Sequence, residues 1–123
     1  MQGSPVEDRG AMNLKKISYR RAIRASDRDA VRELVQSTGF FTQTEVDIAV
    51  ELVDENLARG ERSGYGFLFA EMGGEILGYA CFGPIAGTAG SYDLYWIATH
   101  QPYQRLGIGR LILGRSEALM VKE

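Results

Sequence analysis

Residues Tyr92 to Leu113 read YDLYWIATHQPYQRLGIGRLIL. Tyr92 to Thr99 is dominated by aromatic and β-branched residues apart from Asp93, the composition of a strand. After a turn at Gln101-Pro102, a helix is expected to start near Ile108 or Gly109. Leu111, Ile112, Ala118 and Leu119 form its apolar face. Gln104-Arg105-Leu106-Gly107-Ile108-Gly109 therefore lies directly between a strand and a helix. A helix N-terminus offers unpaired N–H groups and a partial positive charge, which suit a pyrophosphate. Without Cβ atoms, Gly107 and Gly109 let the backbone bend and lie against phosphate oxygens. Arg105 or Arg110 can add a charge-assisted contact.

Two other glycine-rich phosphate motifs do not fit. The dinucleotide fingerprint needs a third small residue three positions after the second Gly, where this chain has Ile112, and an acidic residue on a further strand. A P-loop needs Gly-Lys followed by Ser or Thr, which the sequence lacks.

Working outward, Gly73-Gly74 sits between the apolar runs Tyr65–Met72 and Glu75–Gly83, which predicts an antiparallel hairpin with a type I′ turn. Pro84 ends the second run, since it has no N–H to give a ladder, and a loose Gly-rich loop runs to Gly90. Further upstream, Ala30, Val31, Leu34 and Val35 recur at helical spacing between a capping-box signature, Ser26 with Asp29, and a stop at Gly39. Val46, Ala49, Val50, Val53 and Leu57 mark a second helix from about Thr44 to Gly60. Ile17–Arg24 is a plausible first strand. The order β-α-α-β-β-β-α predicts an α+β domain: a mixed, mainly antiparallel sheet flanked by helices.

With 123 residues, 45% hydrophobic and 24% charged, the chain fits one domain. Its formal charge of -2 gives no general reason to expect nucleic acid or an anionic membrane as partner. The lone Cys81 cannot form an internal disulfide, which suits the cytoplasm. No apolar run is long enough to span a bilayer, and polar Met1 to Lys16 reads as a flexible tail ahead of a domain over residues 17–123.

The pattern Gln104, Gly107, Gly109, opening a helix after Asp93-Leu94-Tyr95-Trp96-Ile97-Ala98, resembles the signature of the GNAT N-acetyltransferase superfamily. The resemblance also covers the element order from Ile17 onward. It implies an acetyl-CoA-dependent N-acetyltransferase, with the pyrophosphate on the backbone of Gln104, Arg105, Leu106, Gly107, Ile108, Gly109 and Arg110. The pantetheine arm would pair like a strand with Ile97, Ala98 and Thr99. It further implies direct attack of a primary amine, of a small molecule or a peptide, on the thioester. Positioning then supplies most of the acceleration, about 7–11 kcal/mol in favourable cases.

By position Asp93 resembles the strand carboxylate that acts as general base in histone-type members; the alternative is a strand-end Asp facing solvent or pairing with Arg. Tyr95, like Tyr92 and Trp96, lines either an acyl or acceptor channel or the core. Phe40 and Phe41 fall where the family borders its acceptor site, or they anchor their loop. Glu45, Asp47, Glu51 and Asp54 either attract a cationic acceptor or form a solvated helix face. His100 reads as a bystander and Cys81 as a small buried residue, and one His with one Cys makes no metal site.

Family members continue with a fifth strand, a fourth helix and usually two more strands, and the fourth helix often carries a Tyr that protonates the thiolate. No residue here matches that Tyr, and Tyr103 is not put in its place. The expectation is a shortened chain that leaves Tyr92–Thr99 as an apolar edge. A homodimer, or another chain, would then complete the sheet. An acyl-CoA-binding module without turnover is the competing function.

Overall fold

The computed structural model describes residues 13–84 and 92–122, apart from the side chains of Glu61, Pro84, Tyr92, Asp93, Tyr95, Val121 and Lys122. Strands β1 (Ser18–Arg20), β2 (Gly66–Met72), β3 (Glu75–Pro84) and β4 (Tyr92–Thr99) form one sheet in the order β1-β2-β3-β4, every pairing antiparallel. Helices α1 (Asp27–Thr38) and α2 (Gln43–Arg59) cover one face, and α3 (Ile108–Lys122) covers the other. The predicted loop up to Gly90 lies outside the described residues. So does the tail before Asn13.

Gly73 and Gly74 have φ of 61° and 84°, the two left-handed positions a type I′ turn requires. The turn sets a register in which Phe67 faces Cys81 and Phe69 faces Tyr79. That register slips once: Ala70 pairs Gly78 but Glu71 pairs Ile76, leaving Leu77 as an extra residue. Such a bulge shifts the alternation of faces. Leu77 and Ala80 thus both pack toward α3, three residues apart, while Tyr79 and Cys81 pack toward α1 and α2. A second slip, from Cys81↔Trp96 to Phe82↔Leu94, makes Tyr95 a bulge in β4. Leu94 accordingly joins the α3 side and Trp96 the α1–α2 side.

Phe67, Phe69 and Tyr79 stack in the first core, with centroids 5.8–6.5 Å apart. Fully burying such side chains stabilises by about 1.5–3 kcal/mol each. At the margin of this layer Arg20 donates to Asp27 (2.8 Å, twice), Glu71 (2.8 and 3.1 Å) and the Ala22 carbonyl (2.6 Å). It also lies 4.6 Å from the centre of the Phe69 ring. The Asp27 hydrogen bond, opposed by desolvation and reinforced by Glu71, raises Arg20 above the ordinary guanidinium value. The cluster ties β1, β2 and the start of α1 together.

The helix ends differ from expectation at one point. Ser26 is in the αR region with no side-chain cap bond, so the Ser26–Asp29 capping box does not form. Asp27, the first residue of the helix, turns its carboxylate back to accept the Arg24 N–H at 2.7 Å while held by Arg20. The capping box belongs to α2: Thr42 accepts the Glu45 N–H at 3.1 Å, and Glu45 accepts the Thr42 N–H at 2.8 Å. Gly39 closes α1 in the left-handed region, φ 73°, where a Cβ would be strained.

Candidate functional site

His100 leaves β4 with its N–H on the Leu77 carbonyl, 2.8 Å away. In an antiparallel pair this makes Leu77 and His100 a hydrogen-bonded couple, and the couples alternate from there. Ala98 and Trp96 therefore direct their backbone groups at β3, while Ile97 and Thr99 direct theirs at the outer edge. The Thr99 carbonyl is engaged: Gln104 Nε2 donates to it at 3.1 Å. What remains outward is the Ile97 N–H, the Ile97 carbonyl and the Thr99 N–H. That is one short ladder's worth of donors and acceptors.

The chain then turns through Gln101–Tyr103, a single 3-10 turn. Two contacts distant in sequence hold it. Gln101 N–H donates to Ser37 Oγ at 3.0 Å, and Ser37 in turn donates to the Leu34 carbonyl at 2.6 Å. Tyr103 Oη donates to Glu75 at 2.8 Å. Past Gln104 the backbone enters the left-handed region twice, at Arg105 (φ 70°) and Gly107 (φ 88°). A positive φ is uncommon at a non-glycine and marks a constrained turn.

The first bond of α3 runs from the Leu111 N–H to the Gly107 carbonyl, 3.1 Å. The amides of Ile108, Gly109 and Arg110, ahead of it, belong to the group that no helix satisfies internally. Ile108 and Ile112, 1% and 0% exposed, seat this end of the helix on the sheet. Gly109 makes the approach tight, since a Cβ there would come 3.3 Å from Thr99 Oγ1. Gly78 does the same beneath the helix, where a Cβ would lie 2.8 Å from Ile112 Cδ1 and 2.9 Å from the Ala98 carbonyl. The first turn of α3 holds no acidic residue, and Arg105 and Arg110 are exposed beside it. Free amides, two glycines and two cations fit a pyrophosphate.

Of the candidate side chains, those of Asp93 and Tyr95 lie outside the described residues; their backbones run in β4, with Asp93 opposite Gly83 and Tyr95 at the bulge. Phe41 packs edge-to-face on Trp96, 5.2 Å between centroids at 62°, so the α1–α2 loop closes against β4. Its neighbour Phe40 is 81% exposed. The acidic stretch is largely engaged by structure. Glu45 belongs to the capping box, and Asp54 meets Arg28 at 2.9 Å. Asp47 meets Arg32 and Gln43 at 3.0 Å each, with Arg32 first in lowering its carboxyl below the ordinary value. The Cys81 thiol is buried and pushed up to about 12, so it stays protonated at neutral pH. Burial likewise raises the Tyr79 phenol, whose hydroxyl has no partner among the described residues.

Sequence reasoning missed Ser37 and Glu75, which steady the turn from α1 and β3, and Leu14, whose Cδ1 would lie 3.9 Å from a Cβ on Gly107. Nothing local flags them, because each acts on a residue far along the chain.

The model of the acetyltransferase (GNAT) family matches residues 28–123. A crystal structure from Desulfovibrio desulfuricans, described as an acetyltransferase of the GNAT family, is 45% identical with a TM-score of 0.82; the match covers 85% of this chain and 65% of that one. This chain thus spans a little under two thirds of that relative. A GNAT family acetyltransferase from Brucella melitensis, in complex with acetyl-CoA, is 25% identical with a TM-score of 0.66, covering 86% and 69%. PaiA N-acetyltransferase from Thermoplasma acidophilum, in complex with coenzyme A, is 18% identical and shares the fold, with a TM-score of 0.63 over 86% and 72%. Curated proteins give no match. A family match over more than half of the sequence, on a fold shared with a relative 45% identical, shows that the chain belongs to the GNAT acetyltransferase family.

Proposed function

We infer that the domain, residues 17–123, transfers an acetyl group from acetyl-CoA to a primary amine of a small molecule or peptide. The observation that carries this reading is the left-handed turn at Arg105 and Gly107, feeding the free amides of α3 beside the open edge of β4. The turn would hold the pyrophosphate, and the Ile97 N–H and carbonyl with the Thr99 N–H would pair with the pantetheine amides. A bound donor supplies a thioester carbonyl open to nucleophilic attack. The acceptor nitrogen forms the C–N bond as the C–S bond breaks, and its surplus proton passes to a base, the role we assign to the Asp93 carboxylate. Phe40, Phe41 and Tyr95 would border the acceptor. We place the reaction in the cytoplasm, with neither nucleic acid nor membrane as partner; among the described residues no helix is long and apolar enough to cross a membrane.

Thermal unfolding with acetyl-CoA, against ATP and NADH, tests the donor. Ligand at about 100 times its Kd should stabilise by roughly 2.7 kcal/mol. Gly109→Glu, whose Cβ would come 3.3 Å from Thr99 Oγ1 and which adds a negative charge to the first turn of α3, should abolish the shift. An equal shift with ATP would refute the assignment. A second reading, acyl-CoA binding without turnover, is favoured by the outer edge of β4, which has no strand partner among the described residues. Binding with no product across a broad amine panel would establish it. Light scattering would show whether a second copy completes the sheet.

A further inference from the structure

The second half of α3 leaves a groove against the β1 side of the sheet. Tyr19 of β1, Leu68 of β2, and Ala118 with Leu119 of α3 line a cavity of about 290 Å³, and Arg21 and Arg115 complete its wall. Leu68 is buried, and Tyr19 and Leu119 pack on the α3-side core, so the floor is apolar. Ala118 is exposed and brings only a methyl to this space. At 1.5 Å per residue, Arg115 to Leu119 lie roughly 9–15 Å along the helix from Gly109, away from the turn assigned to the donor. The volume is at the small end of ligand sites, about 300–1,000 Å³, and suits a small molecule and not a folded partner.

The charge on this cavity is of one sign, for among the described residues no carboxylate lines it. The Arg115 guanidinium lies 3.9 Å from the centre of the Tyr19 ring, a cation–π contact that holds it over the groove. Its neighbours on the helix surface are Leu111, Ile112, Ala118 and Leu119, none of them acidic. It forms no ion pair among the described residues, so the ring holds the cation while its N–H donors stay available. The Arg21 guanidinium, on the β1 side, lies 5.6 Å from the centre of the Phe82 ring. An apolar floor with two guanidinium groups in its wall matches an anion that carries an apolar chain, and a planar fork pairs best with a carboxylate.

We propose that this groove binds a free single-chain carboxylate of medium length, its head on Arg115 and Arg21 and its chain along Tyr19, Leu68 and Leu119. The test is calorimetric titration of the full chain with hexanoate and octanoate as monomers, and with octanol and octylammonium as controls. Affinity should rise about fourfold for each methylene buried, and octanoate should bind about tenfold or more tighter than octanol or octylammonium. Arg115→Gln should lose the preference for octanoate over octanol, and Arg115→Lys should keep most of it. Ala118→Trp should fill the groove and abolish binding, with no fall in the unliganded melting temperature, because Ala118 is exposed. If that variant melts early, the wild-type amide resonances of Tyr19, Leu68 and Leu119 should shift on adding octanoate, and shifts confined to other residues overturn the proposal. So do octanoate binding no tighter than octanol, binding unchanged in Arg115→Gln, and no binding at all. Displacement of octanoate by acetyl-CoA would put the carboxylate in the donor slot and overturn it as well.

Discussion

Gly78 lies where α3 packs tightly on the sheet, and Gly78→Ala should displace the N-terminal end of the helix. The added carbon would lie 2.8 Å from Ile112 Cδ1, 2.9 Å from the Ala98 carbonyl and 3.4 Å from Thr99 Cα. Carbon pairs prefer roughly 3.5–4.0 Å. Ile112 is 0% exposed, and the Ala98 backbone is fixed opposite Tyr79 in the ladder. Relief therefore requires α3 to move outward by several tenths of an ångström, and overpacking of this kind costs about 1–3 kcal/mol. At on the order of 4 °C per kcal/mol for a domain of this size, the melting temperature should fall by about 4–12 °C. Because the same movement draws Gly109 away from Thr99, acetyl-CoA affinity should fall as well. Ile112→Val removes the clashing Cδ1 and alone costs about 0.5–1.5 kcal/mol. Combined with Gly78→Ala, it should recover part of the loss, so the double variant is more stable than the sum of its parts. Urea denaturation of the four proteins reads this cycle. Strict additivity, or a Gly78→Ala variant as stable as the wild type, would refute the packing argument.

Tyr79→Phe removes a buried hydroxyl that lacks a partner among the described residues, and should stabilise by on the order of 1 kcal/mol; a loss of stability in urea would point to an ordered water at that hydroxyl. Asp27→Asn strips a carboxylate that is 1% exposed from Arg20, and should destabilise by about 1.5–3 kcal/mol in urea, since Glu71 still pairs with the guanidinium. Burial pushes Cys81 from its ordinary 9.0 up to about 12, so the unfolded chain loses this proton first. Stability contributed by the neutral thiol is full below pH 9.0 and declines as pH rises towards 12, and Cys81→Ala should flatten that decline in denaturant midpoints. At pH 8 the folded protein should resist thiol alkylation.

Several features could be read from the sequence because short-range sterics enforce them. Gly73-Gly74 occupies the two left-handed positions of a tight turn, Gly39 the left-handed end of α1, and Gly107 with Gly109 the start of α3. Neighbouring residues decide these conformations, so spacing alone reveals them, and with them the element order and the turn ahead of α3. Alternation misled where the strands bulge. Nothing near Leu77 or Tyr95 states that partners across the sheet will skip them, yet those slips decide which faces Leu94 and Trp96 occupy. Ser26 looked like a cap, but the Arg20 contact made Asp27 the residue that is held, a choice between equivalents made 7 residues away. Phe41 meets Trp96, 55 positions along the chain, with 5.2 Å between ring centroids, a pairing no local pattern states. Glu75, Ser37 and Leu14 reach the turn at Gln101–Gly107 only because the fold brings β3, α1 and the residues before β1 to one end of the sheet. The sequence by itself determined the element order and the glycine turn that opens α3, since these depend on backbone angles and local spacing. Only the tertiary structure decided which side chains hold that turn, because those depend on contacts between residues 28 to 93 positions apart.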